Sequence, residues 1–291
     1  MKPELIADYN CRTGEGPLWH PDEERLYWLD IPAGKIFRYE PATGKHEQCF
    51  QGPPIGGMTL QEDGSLLLFM ADCAVTEWRD GIITRTIVKE VAAEREAGAR
   101  FNDVIADPRG GVFCGTMATR TRTGHLYYLD IDGSLTELMD GIGVSNGLGF
   151  TPDRQQMYYT DTRTKSIYLF DYSISSGAID NQRVFVKVSD QPGEGSPDGM
   201  TVDAEGFVWS ARWGGKCLVR YAPDGSEDQR IFFPADKVSC VTFGGSDYKD
   251  MYVTTANPSG DKAQEGSGAG ALFRINIGIQ GVPEFRSKVC L

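Results

Sequence analysis

Four short segments place acid or amide side chains where a strand-to-turn junction does not need them. They are Gly14-Glu15-Gly16-Pro17, Arg100-Phe101-Asn102-Asp103, Ser145-Asn146-Gly147 and Ser196-Pro197-Asp198-Gly199. Two carboxylates (Glu15, Asp198) and two amides (Asn102, Asn146) form a set of hard oxygen donors. Such donors suit calcium, magnesium or manganese. Zinc also accepts oxygen ligands and stays an alternative. No His or Cys stands at metal-binding spacing, and His20, His46 and His125 are isolated from one another. Taken singly, Asn146-Gly147 and Asp198-Gly199 read as plain turns and Glu15 as a solvated charge. Their shared placement argues for more. Glu15 precedes Tyr27, and Asn146 precedes Tyr158, by 12 residues; Asn102 precedes Val112, and Asp198 precedes Val208, by 10.

Those four reference positions belong to a recurring unit. LYWLDIPAGKIFRYEPATG from Leu26, MYYTDTRTKSIYLFDYSISSG from Met157 and VWSARWGGKCLVRYAPDG from Val208 share one pattern. An aromatic strand is followed by a polar turn with Lys, then by a second strand ending near a Gly turn. Weaker copies begin at Leu66, Val112 and Met251, so the starts are separated by 40, 46, 45, 51 and 43 residues. The apolar period within each copy is two, the period of a strand. Asp63-Gly64, Asp80-Gly81, Asp132-Gly133 and Asp224-Gly225 punctuate the runs as hairpin turns. The one helix-friendly stretch is Lys89 to Arg100, and the Gly/Ser-rich stretch from Pro258 to Gly270 reads as a loop within the last copy.

A period of about 40 to 50 residues with several strands per unit describes propeller blades. The chain is therefore expected to be all-β, a six-bladed β-propeller forming one domain over residues 1–291. A β-sandwich would leave the six similar units unexplained. Each blade buries its faces against its neighbours, so the repeats close into a ring around a channel. The repeated offsets put the four polar segments at one end of their blades, facing that channel.

Composition narrows the function classes. The 35 glycines are about 12% of 291 residues, against a usual level of about 7%, as many tight turns require. A net charge of -12 argues against nucleic acid and against an anionic membrane surface as partners. Seven scattered cysteines, odd in number and without a C-x-x-C pair, suit a reducing compartment. The N-terminus has no apolar signal core, and no apolar run approaches the ~18 residues of a membrane span. The expectation is a cytoplasmic protein. No phosphate-binding G-x-x-x-x-G-K-[ST] loop, Gly-x-Ser-x-Gly or Ser/His/Asp arrangement is present. Gly141-Ile142-Gly143-Val144-Ser145-Asn146 opens no helix and so does not read as a dinucleotide site.

The same segments resemble the gluconolactonase / senescence marker protein (regucalcin) family. The matching text is GEGPLW from Gly14, LYWLDI from Leu26, RFNDVIADPRG from Arg100, GTM from Gly115, SNGLGFTPD from Ser145, MYYTD from Met157, SPDGMTVDAEGFVWSARWGG from Ser196 and FGGSDYKDMYVTTA from Phe243. Eight motifs in order span about residues 4 to 285. The resemblance implies a metal-dependent lactonase with a six-bladed propeller fold. It implies Glu15, Asn146 and Asp198 as ligands of one divalent metal, calcium first, with zinc, magnesium or manganese as alternatives. It implies Arg100 and Asn102 as substrate contacts, with Asp103 holding that arginine in place.

One departure stands out. Gluconolactone-acting members carry a Glu shortly after the GTM segment; here Ala118-Thr119-Arg120 follows Met117. Arg120, in the basic loop Thr119-Arg120-Thr121-Arg122-Thr123, is thus a candidate substrate contact. It could equally be solvated, or part of a lid over an acidic or phosphorylated lactone.

Opening a lactone needs a polarised carbonyl, an activated water and a holder for the oxyanion. A divalent ion supplies the first and third, and Asp198 is the candidate general base. The expected function is hydrolysis of small lactones, foremost aldonolactones. The rival readings are a metal-dependent phosphotriesterase or esterase, a non-enzymatic calcium-binding protein, and a propeller serving as a protein-binding platform.

Overall fold

The structure, a computed structural model, describes residues 2–291. The chain is all-β apart from two short helices. It begins with β1 (Glu4–Asp8). The first four-stranded sheet holds β2 (Gly14–His20), β3 (Arg25–Asp30), β4 (Lys35–Glu40) and β5 (Lys45–Gln51). The second holds β6 (Ile55–Leu60), β7 (Leu66–Met70), β8 (Val75–Arg79) and β9 (Ile82–Val88). Helix α1 (Ala92–Glu96) leads to the third sheet: β10 (Phe101–Ala106), β11 (Val112–Thr116), β12 (Gly124–Leu129) and β13 (Leu135–Ile142). The fourth holds β14 (Ser145–Phe150), β15 (Gln156–Asp161), β16 (Ser166–Tyr172) and β17 (Ile179–Lys187). Then follow β18 (Ser196–Val202), β19 (Val208–Trp213), β20 (Cys217–Tyr221), β21 (Glu227–Phe232), β22 (Lys237–Gly244), β23 (Asp250–Ala256), helix α2 (Lys262–Glu265) and β24 (Ala271–Asn276).

The six separate blades expected from the repeat are corrected here. Four four-stranded sheets stand alone, and the last seven strands join β1 in one eight-stranded sheet, in the order β1-β24-β23-β22-β19-β20-β21 with β18 beside β19. The cause is local. Trp213 at the end of β19 pairs with Lys237 at the start of β22, so a backbone bridge crosses the place where a break was expected. In the same sheet β1 pairs with β24, which ties the two ends of the chain together.

The period of two explains why the second strand of each unit is apolar throughout. In β3, Leu26 and Trp28 pack with Tyr252 and Leu272, while Tyr27 and Leu29 pack with Met58, Leu66 and Leu68 of the next sheet. In β7, Leu67 and Phe69 turn onward to Phe101, Val112 and Cys114. In β15, Met157 and Tyr159 face one side and Tyr158 the other. Alternate side chains of a strand point to opposite faces, so each such strand fills two successive cores. Full burial of one of these side chains is worth about 1.5–3 kcal/mol. The outermost strands β5 and β9 are largely exposed; β5 is mainly charged and polar, whereas β9 exposes Ile82 and Ile83 beside Thr84, Arg85 and Thr86.

The innermost strands β2, β6, β10, β14, β18 and β22 pack on one another in succession, with β22 returning to β2. They surround the channel. Beyond β24 the tail crosses the channel end reached by the C-termini of these strands. Gly281 bridges to Asp203 and Ser287 to Gln61. The opposite end, where the inner strands begin, is open.

Candidate active site

All four polar residues singled out from the sequence lie at the open end of the channel, on the first strand of their units. Glu15 is on β2, Asn102 on β10, Asn146 on β14 and Asp198 on β18. The register with the neighbouring strand slips between Glu15 and Leu18, Phe101 and Val104, Asn146 and Leu148, and Pro197 and Met200. A bulge re-aims side chains, and here it recurs at the site residue of each strand. Two glycines let the strands come this close. A Cβ on Gly147 would meet the Asp198 carbonyl oxygen at 2.5 Å, and one on Gly199 would meet Cys240 Sγ at 2.3 Å.

Glu15, Asn102, Asn146 and Asp198 are each at most 5% exposed. Together with Thr13, Arg100, Met117, Val144, Thr162 and Trp213 they line one cavity of about 350 Å³. A chain of hydrogen bonds runs along its wall. Arg100 Nη1 donates to Asn102 Oδ1 at 2.7 Å and to the Phe101 carbonyl at 2.9 Å. Asn102 Nδ2 donates to the Ser145 carbonyl at 2.8 Å and to Asn146 Oδ1 at 2.5 Å. Asn146 Nδ2 donates to Thr162 Oγ1 at 2.7 Å, and Thr162 donates to the Pro197 carbonyl at 2.8 Å.

The carboxylates are differently placed. Among the described residues, Glu15 accepts only from the Gly16 amide, at 3.0 Å. No protein donor reaches the Asp198 carboxylate among the described residues. Burial, then Asp103, then Asp198 push the Glu15 carboxyl well above its ordinary range. Burial, then Asp103, push Asp198 up in the same way. Buried charges normally find partners or lose their charge. Two such carboxylates beside an amide oxygen are the donor set that a hard divalent cation neutralises. Among the described residues no group of three or more His, Cys, Asp or Glu side chains is arranged to hold a metal. A cation here would therefore rest on Glu15, Asp198 and the Asn146 carbonyl.

Two residues sit elsewhere than the sequence suggests. Asp103 turns into the channel beneath the site, beside Gly57, Cys240 and Glu284. Burial raises it to about 7, offset in part by the Gly147 amide and the Arg100 guanidinium. No ion pair joins Asp103 to Arg100 among the described residues; Arg100 is held by Asn102 and the Phe101 carbonyl instead. Arg120 is exposed and does not line the cavity. Its neighbour Arg122 is drawn inward, its Nε 2.9 Å from the fully buried Glu94 of α1.

Five cavity residues escaped the sequence reading. Met117, Thr162 and Trp213 each lie five residues after the repeat starts at 112, 157 and 208, at the end of a second strand. That end pairs with the start of the inner strand, as Asp161 does with Ser145 and Trp213 with Ser196. The repeat register alone could have found these three. Thr13 and Val144 immediately precede β2 and β14 and carry no comparable signal.

Residues 13–257 match the family described as SMP-30/Gluconolactonase/LRE-like region. The chain belongs to this family. Among its relatives, Pentonolactonase XacC of Haloferax volcanii is 46% identical over 100% of both chains. Regucalcin of Bos taurus is 33% identical over 98% of each. Among solved structures, a luciferin-regenerating enzyme superposes with a TM-score of 0.88 at 26% identity, covering 99% of this chain and 100% of its own. The family match takes in every residue of the cavity. No helix among the described residues is long and apolar enough to cross a membrane.

Proposed function

We propose that this chain is a divalent-cation-dependent lactonase that opens sugar lactones, with five-carbon aldonolactones as its first substrates. The observation that carries the reading is the convergence of the buried Glu15 and Asp198 carboxylates and the Asn146 amide on one cavity. The pentonolactonase named above, 46% identical over its full length, supports the substrate class. Calcium is the first candidate because all the donors are oxygen; zinc, magnesium and manganese remain alternatives.

When bound, the cation would act as a Lewis acid on the lactone carbonyl and stabilise the oxyanion. The remaining work falls to the chain. Arg100 and Asn102 fix the ring and its hydroxyls, so that the carbonyl carbon is presented to water in one pose. Asp198 accepts a proton from that water as its oxygen bonds to the carbonyl carbon. The acyl C–O bond then breaks, the ring oxygen takes that proton back from Asp198 and leaves as a hydroxyl, and the product is the open-chain acid. Met117, Val144 and Trp213 give the cavity an apolar wall against the C–H face of a sugar ring.

The test is a panel of pentono- and hexonolactones with metal-stripped protein, followed by acid release as each ion is returned. Turnover restored by one ion, fastest on a five-carbon lactone, is expected. No turnover with any ion on any lactone would overturn the reading.

A further inference from the structure

Asn146 offers two atoms of opposite character: a carbonyl oxygen that can hold a cation and an amino group that repels one. Its neighbours decide which atom is available. The Pro197 carbonyl can only accept, so the single hydroxyl proton of Thr162 goes to it, across 2.8 Å. Thr162 Oγ1 then has only lone pairs to offer Asn146, 2.7 Å away. Asn146 must turn its amino group toward Thr162, which sends Oδ1 to the other side. The far end of the chain demands the same arrangement. Arg100 can only donate, so it takes Asn102 Oδ1 and leaves Asn102 Nδ2 to meet Asn146 Oδ1.

We propose that Thr162 is a positioning residue for the cation site: its hydroxyl fixes the Asn146 amide so that Oδ1, not Nδ2, is offered beside Glu15 and Asp198. The inference rests on the cation-dependent reading above. Thr162 lines the cavity half-buried, and its backbone is held independently, its amide donating to the Val144 carbonyl at 3.1 Å. Exchanging its side chain therefore leaves the strand end anchored. Without the hydroxyl, the Asn146 amide is held from the Asn102 side alone, and its amino group loses its acceptor.

The experiment is calorimetric titration of calcium into metal-stripped wild type, Thr162→Val and Thr162→Ser, with melting temperatures of the stripped proteins as a folding control. Thr162→Val is expected to weaken calcium binding roughly 10- to 100-fold, the range for partners that orient a metal ligand. Thr162→Ser keeps the hydroxyl and should bind close to wild type. Should Thr162→Val fail to fold, Thr162→Ala carries the same expectation. Wild-type affinity in the hydroxyl-free variant, or equal loss in the Ser variant, would overturn the inference while leaving the cation site intact. A wild-type protein that binds none of calcium, magnesium, manganese or zinc would overturn both readings.

Discussion

Asn102 Nδ2 and Asn146 Oδ1 meet at 2.5 Å, joining the inner strands β10 and β14 beside the cavity. The bond lets the two amides be separated by experiment. Asn146 is also held by Thr162, so Asn102→Ala should retain calcium binding within a few-fold. The contact that fixes the substrate is lost, and kcat is expected to fall on the order of 100-fold. Calorimetry and steady-state kinetics on one preparation check both halves.

Asp198 gives the opposite pattern. Its carboxylate is buried, has no protein donor among the described residues, and is pushed up by burial and by Asp103. Asp198→Asn removes a charge that the cation-free fold holds at a cost. Stripped Asp198→Asn is expected to melt higher than stripped wild type at pH 8. Added calcium should raise the melting temperature of wild type and not that of the variant, because only a bound ligand stabilises by mass action. Turnover should be lost.

Glu284 sits on the tail that crosses the closed end of the channel, and burial alone raises it from 4.5 to about 7. An acid whose folded value lies above its unfolded value binds more protons when folded. Its neutral form costs nothing extra below about pH 4.5, and stability falls as pH rises through 7. Glu284→Gln is therefore expected to stabilise on the order of 1–2 kcal/mol at pH 8 and little at pH 4.5. Urea melts at the two pH values measure this.

Glu94 Oε1 receives Arg122 Nε at 2.9 Å and Tyr127 Oη at 2.7 Å, and His125 Nδ1 lies 2.8 Å away. Glu94→Ala would leave those groups around a buried hole without an acceptor. A loss of about 3 kcal/mol is expected. Glu94→Gln keeps one acceptor oxygen and should lose less. Denaturant midpoints compare the two.

Arg120 stands exposed outside the cavity. Arg120→Ala is expected to leave kcat/KM on neutral lactones within about twofold, as is usual for a surface change away from a site. A large drop confined to phosphorylated lactones would show that the 119–123 loop closes over an acidic substrate.

The amino-acid sequence by itself determined the strand repeat, because a strand buried on both sides must alternate between two cores, as Tyr27 and Trp28 do. It also marked the four polar residues that come to share one cavity, because Glu15, Asn102, Asn146 and Asp198 keep one place in their units. The tertiary structure alone decided where sheets end: the Trp213–Lys237 bridge depends on how closely two strands approach, which no spacing records. It alone decided that Asp103 lines the channel without an ion pair to Arg100, since the bulge in β10 between Phe101 and Val104 re-aims the side chains there. The repeat register could place Thr162 at the cavity, but only the tertiary structure brought its hydroxyl between the Asn146 amide and the Pro197 carbonyl, where it sets the direction of that amide.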